Sequence, residues 1–182
     1  MTAPVRREWI EKDPVTPALI AAILDQYALT PHGIHGIGHW ARVYVNGLSL
    51  ANQTGADHRV VALFSVLHDA CRFNENSDPE HGQRGANLAA TFRGTFFDLP
   101  DDLLGILQEA CSHHTHSHTH QNTTIKTCWD ADRLDLGRVG IVPDPKYLCT
   151  AEAKTPSCIE QAYKRSIGSR PDWLLEPWGI SP

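Results

Sequence analysis

Residues 57–72 read DHRVVALFSVLHDACR, and the fold turns on this stretch. Asp57 opens a run in which Val60, Val61, Leu63, Phe64 and Leu67 leave hardly any polar face. The segment therefore predicts a central buried helix rather than an amphipathic surface one. It ends on the adjacent pair His68-Asp69, with Arg72 just beyond. Neighbouring helical residues project about 100° apart, so one ion takes both side chains only if it sits off the helix end. An imidazole beside a carboxylate suits Fe, Mn, Ni or Zn. Taken alone, the dipeptide also reads as a surface histidine next to a helix-end acid.

Outward from this helix the chain reads as further helices joined by short turns, with no alternating or β-branched run that marks a sheet. Thr16-Pro17 is an N-cap followed by a proline at the first helical position, opening a helix over 16–28. A second runs from about Ile37 to Asn52 and stops near Gly55. After the polar loop Asn74 to Glu80, a helix passes through Ala86, Leu88 and Ala89 to about Arg93. Pro100, read as the first helical residue, opens another toward a histidine-rich stretch. Thr123 to Leu136 forms a helix closed by Gly137, and Thr155-Pro156 begins the last one, ending near Gly168. The tail RPDWLLEPWGISP is apolar with poor helix grammar; it packs back on the body or, through Trp173, Leu174, Leu175 and Trp178, forms an interface. The expectation is an all-α protein, one domain over its 182 residues.

Composition narrows the function classes. Apolar residues make up 41% and charged residues 20%, enough for a sizeable core. A net charge of -5 argues against non-specific nucleic-acid binding, which needs a basic face, yet leaves room for a small anionic substrate. No apolar run has the length to span a bilayer. The five cysteines (Cys71, Cys111, Cys128, Cys149, Cys158) contain no C-x-x-C pair. With charges beginning at Arg6 and Arg7 instead of a leader, they read as reduced thiols of a cytoplasmic protein. The oligomeric state is left open.

Eleven histidines are the unusual count, because histidine is the commonest metal ligand. Besides His68, one constellation is His35-Gly-Ile-Gly-His39, followed by Trp40-Ala41-Arg42-Val43. The glycines make His35 a pre-helix residue and leave His39 on the helix, as a ligand or as a core histidine. A second is Trp129-Asp130-Ala131-Asp132-Arg133-Leu134-Asp135, in which Asp132 and Asp135 share a helix face and Asp130 does not. His81 and His114 stand apart, and His116, His118 and His120 alternate, so they share one side of an extended loop as pocket lining or an exposed tract.

The order H-x-x-R-V, then His-Asp at the end of an apolar helix, then Ala-Asp-Arg-Leu resembles the HD superfamily of metal-dependent phosphohydrolases. The resemblance runs from about His35 to Gly140. It implies a helical domain with a metal site at the bundle centre, held by His39, His68, Asp69 and Asp132; the A-D-x-L pattern selects Asp132 over Asp130. His81 and His114 look like the extra ligands of the two-metal members. That likeness implies an Asp69 bridge, with His39, His68 and Asp132 on one ion and His81 and His114 on the other.

The resemblance further implies one or two divalent ions, Fe or Mn favoured and Ni, Zn or Mg possible. They would activate a water for attack on a small phosphate ester or nucleotide. Asp69 is then central to catalysis, and Arg72 and Arg133 are the candidate phosphate contacts through planar donor forks. Each arginine alternatively pairs with Asp130 or Asp135, and Arg84 and Arg138 are fainter candidates. No phosphate-binding glycine loop or serine nucleophile motif is present. Two other readings use the same residues: an HD-type mixed-valent diiron oxygenase, and a non-catalytic metal- or nucleotide-binding module.

Overall fold

A computed structural model describes residues 13–168 and 171–180. The Arg6–Arg7 pair and the tail residues Arg170, Ser181 and Pro182 lie outside the described residues. Within them the chain is all-α, as its patterning implies. The helices are α1 (Pro17–Gln26), α2 (Ile37–Thr54), α3 (His58–Leu67), α4 (His81–Phe92), α5 (Asp101–His113), α6 (Thr123–Arg133) and α7 (Pro156–Ile167). No strand occurs among the described residues.

The central helix is the one the opening stretch predicts. Asp57 caps α3 by accepting from the Arg59 and Val60 amides, and every residue from Val60 to Leu67 is buried. Around α3 pack α2, α5 and α6, with α4 lying along α5 and α7 outside α2. Trp40, Tyr44, Phe64 and Trp129 fill the interior at 1% exposure or less. The Trp129 indole donates to the Ala110 carbonyl at 2.9 Å, locking α6 to the end of α5. The tail packs back: Leu174, Leu175 and Trp178 are buried, and Trp178 meets Tyr44 edge to face at 5.6 Å. Trp173 alone of the four proposed interface residues is exposed.

The first helix ends at Gln26 instead of residue 28, and two further boundaries differ from expectation. Pro100 is the cap, and α5 begins one residue later at Asp101, the ordinary uncertainty of a helix end. α6 stops at Arg133, and a 3₁₀ turn over Leu136–Val139 follows; the left-handed residue that ends it is Gly140, φ 80°. Gly137 serves another purpose. A Cβ there would come within 1.9 Å of Ser166 Oγ on α7, so this glycine permits close packing rather than a reversal.

The same logic places α4. A Cβ on Gly82 would lie 2.3 Å from the Cys111 carbonyl, and one on Gly85 would lie 2.5 Å from the Leu67 carbonyl. In H-G-Q-R-G the two glycines let α4 meet the ends of α5 and α3 backbone to backbone, which draws His81 against His68-Asp69. Backbone carbonyls cannot swing aside as side chains do. Gly85→Ala is therefore expected to lower unfolding free energy by about 1–3 kcal/mol, the range for an overpacked contact. Denaturant titration checks this; an unchanged midpoint would show that α4 moves freely.

Candidate metal centre

Five elements converge where α3 and α5 end and α4 begins. His39 comes from the first turn of α2, and His68 is the C-cap of α3 with Asp69 next to it. His81 is the first residue of α4, His114 the C-cap of α5, and Asp132 lies in the last turn of α6. All six residues that the motif reading singled out as ligands meet here, and three overlapping ligand groups form: His39-His68-Asp69, His68-His114-Asp132 and Asp69-His81-His114. Within each group the ligand atoms lie within 4.8 Å of one another.

Each imidazole is held by its Nδ1. His39 Nδ1 meets Asp135 Oδ2 at 2.7 Å. His68 Nδ1 donates to the Phe64 carbonyl at 3.0 Å and His114 Nδ1 to the Cys111 carbonyl at 2.7 Å. His81 Nδ1 donates to the Asp78 carbonyl. A carbonyl can only accept, so in these rings Nδ1 carries the proton and Nε2 the lone pair. The Nε2 atoms then face one another in pairs: His39 to His68 at 3.1 Å, and His81 to His114 at 3.0 Å. Two lone pairs cannot hydrogen-bond each other. Adjacent ligands around an ion with bonds of about 2.1 Å, however, sit about 3 Å apart. The donor set fits cations.

Asp69 lies between the pairs. Its Oδ2 is 3.5 Å from both His39 and His68 Nε2, while Oδ1 is 3.1 Å from His81 Nε2 and 3.7 Å from His114 Nε2. Asp132 Oδ1 completes the first half, 3.4 Å from His39 Nε2. Burial would raise the Asp69 pKa, but the surrounding imidazoles hold it well below the carboxylate range. Asp132 is lowered in the same way against its own burial, by His39, His68 and Arg138. Burial pushes His68 down to about 3, so it stays neutral and ligand-ready. At His114 burial works downward, yet Asp69 raises the pKa overall.

The arginines separate. Arg72 is buried beside the second half: its Nη1 is 3.1 Å from His81 Nε2 and 3.4 Å from Asp69 Oδ1, and its Nη2 donates to the Asn76 carbonyl at 2.6 Å. Arg133 is not at the site. It donates to the His118 and Tyr147 carbonyls at 3.0 and 2.9 Å, stapling two loops together. Once Asp132 turns inward, the next helical residue must point about 100° away, which corrects the reading of Arg133 as a phosphate contact. Arg84 pairs with Asp78 at 2.6 Å and covers the Phe73 ring. Asp130, passed over in favour of Asp132, accepts from the Cys149 and Thr150 amides and serves the fold. His113, His116 and His118 are exposed and belong to none of the ligand groups; His120 bonds Glu109 at 3.0 Å.

The roles of two neighbours, Asp135 and Glu75, escaped the sequence reading. Asp135 is fully buried and holds His39 while accepting Arg42 Nε at 2.7 Å; the spacing of H-x-x-R and of D-x-x-D carried that signal. The His35 ring pairs with Glu75 at 2.5 Å, across two loops, at the rim. An apolar surface groove of about 410 Å³ near Val142, Ile159 and Tyr163 includes no ligand residue.

No family model matches this chain, and no curated protein matches it. Among solved structures it is similar to the crystal structure of a predicted HD superfamily hydrolase from an uncultured Thermotogales bacterium. The TM-score is 0.65 at 23% identity, over 93% of this chain and 97% of that one. The likeness establishes a shared fold, and it is the helical fold that the motif order implies.

Outer groups that orient metal-bound histidines typically contribute 10–100-fold to affinity. Asp135→Asn should weaken ion binding by about that factor in a chelator-competition titration. Asp130→Ala should leave ion affinity within about twofold while lowering stability, because its bonds go to the 149–150 turn.

Proposed function

We propose that this chain is a metal-dependent phosphohydrolase of the HD type, acting on a small phosphate ester or nucleotide through one or two divalent ions. The observation that carries the reading is the buried Asp69 carboxylate, with one oxygen toward each imidazole pair. His39, His68 and Asp132 would hold one ion, His81 and His114 the other, and Asp69 both. The donors are imidazole and carboxylate without thiolate, a set that favours Fe or Mn and admits Ni, Zn or Mg. Bound there, such ions supply positive charge for phosphate oxygens and lower the pKa of water toward neutrality.

The chain's own residues supply the rest. Asp135 and the Phe64, Asp78 and Cys111 carbonyls fix the imidazoles, so little reorganisation accompanies reaction. Arg72 presents its guanidinium at the second half, where a phosphate oxygen would accept from it. The nearly complete burial of His39, His68 and Asp69 keeps water out of all but the open side.

Elemental analysis of the purified protein, followed by parallel assays of phosphate release and dioxygen consumption, tests this reading. Expected are bound divalent metal and phosphate release from a panel of phosphate esters without oxygen uptake. Asp69→Ala should lose metal from both halves and cut turnover by ~10³-fold or more, the scale for residues that act as one unit. Oxygen-dependent turnover by an iron-loaded sample would favour the diiron oxygenase instead. Bound metal with no turnover on any ester would favour the non-catalytic module.

A further inference from the structure

The ligand residues are not equally enclosed. The side chains of His39, His68, Asp69, His81 and His114 are at most 5% exposed, whereas that of Asp132 is 19% exposed. The centre therefore opens on the side of Asp132. Arg138 stands at this opening, its side chain 10% exposed and its Nη2 4.0 Å from Asp132 Oδ1. Its Nε donates to the Ile34 carbonyl and its Nη1 to the Asp135 carbonyl, each at 3.1 Å. Nη2 makes no hydrogen bond to the described residues. A guanidinium this enclosed, anchored through two of its nitrogens, presents its remaining donors to whatever enters.

Arg72 stands at the far end of the same ligand series, beside His81 and Asp69. His35 stands beside the same cluster, its ring centroid 6.2 Å from that of His39. Tyr27 pins its backbone by donating to the His35 carbonyl at 3.0 Å, and Glu75 holds its ring. The Asp132 side is thus lined by the fixed Arg138 guanidinium, with Arg72 enclosed at the opposite end. A phosphoryl group at the Asp69–His81 end, against Arg72, leaves the Arg138 donors on the Asp132 side for a second oxyanion. Planar guanidinium donors favour a second oxyanion beside the first.

We propose that the substrate carries two adjacent anionic groups, a diphosphate or its equivalent. The reacting phosphoryl group lies at the ligand cluster, and the neighbouring one is taken by Arg138 at the Asp132 side. This rests on the phosphohydrolase reading and names its substrate class. Arg138 acts here as a specificity-determining residue, discriminating a diphosphate from a monophosphate by the donors it offers to the second group.

The test is equilibrium binding of inorganic pyrophosphate and inorganic phosphate to the metal-loaded protein at saturating metal, so that chelation is common to all samples. Wild type should bind pyrophosphate at least ~10-fold more tightly than phosphate. Arg138→Gln should lower that ratio by roughly 10-fold while leaving phosphate affinity within about twofold. Arg138→Lys keeps the charge without the fork, lowers the ratio by a smaller factor, and carries the test if the glutamine variant does not fold. A ratio unchanged in both variants, or phosphate affinity falling in step with pyrophosphate, overturns the proposal. So does equal binding of the two anions to wild type. If ester turnover persists in that case, the phosphohydrolase reading stands and only the substrate class falls; absence of any bound metal defeats both.

Discussion

A carboxylate buried between two pairs of imidazoles governs this molecule. Asp69 is 2% exposed, and moving an ionised acid out of water costs several kcal/mol unless its oxygens find positive partners. The imidazoles offer only partial relief, because their Nδ1 protons are directed outward to carbonyls and to Asp135. What faces Asp69 is a set of Nε2 atoms, each able to give a lone pair to a cation. Cations would satisfy acid and lone pairs together, and their binding would then be coupled to folding. The ligands come from five elements, and any gain at the centre is a gain for the packing of all of them.

That coupling explains features with no direct role in chemistry. Gly82 and Gly85 bring the start of α4 to within backbone contact of α5 and α3. The Trp129 indole ties α6, which carries Asp132, to the end of α5, which carries His114. Arg42 and Asp135 join α2 to the chain after α6 while orienting His39. Each contact sets the position of a ligand by fixing the helix beneath it. Sites built this way are more precise than sites built on loops.

Much of this was legible in the sequence, for reasons that differ by residue. α3 could be read because its burial on all sides leaves an unmistakable composition, and its start follows from the cap at Asp57. His68, Asp69, Asp132 and His39 stood out through their order along the chain and their places on helices. His81 and His114 were legible only through likeness to a known pattern; taken alone, one passes for a helix start and the other for a member of a histidine tract. Arg133 misled because sequence adjacency to Asp132 says nothing of direction, and helical geometry turns it toward the 147–149 loop instead. Asp135 was masked by its company: in an acid-rich segment a buried orienting carboxylate resembles a solvated one, and only its spacing from Asp132 pointed to the role. Arg138 depends on a 3₁₀ turn that no local pattern announces.

The division between helices and loops also separates two kinds of function. The ligands sit within helices or at their ends, and three of the four imidazoles are held by main-chain carbonyls that a side-chain substitution does not remove. The mouth is made by the segment around Ile34 and His35, the Asn74–Asn76 loop and the turn carrying Arg138, joined by the His35–Glu75 pair and by the bond from Arg138 to the Ile34 carbonyl. These segments contribute no ligand of their own and meet the centre through Arg72 and Arg138. A common ion-binding centre can therefore serve different substrates as the loops differ. On the proposed reading, the ligand residues would set the kind of chemistry, and Arg138, with the His35–Glu75 pair at the rim, would set substrate choice.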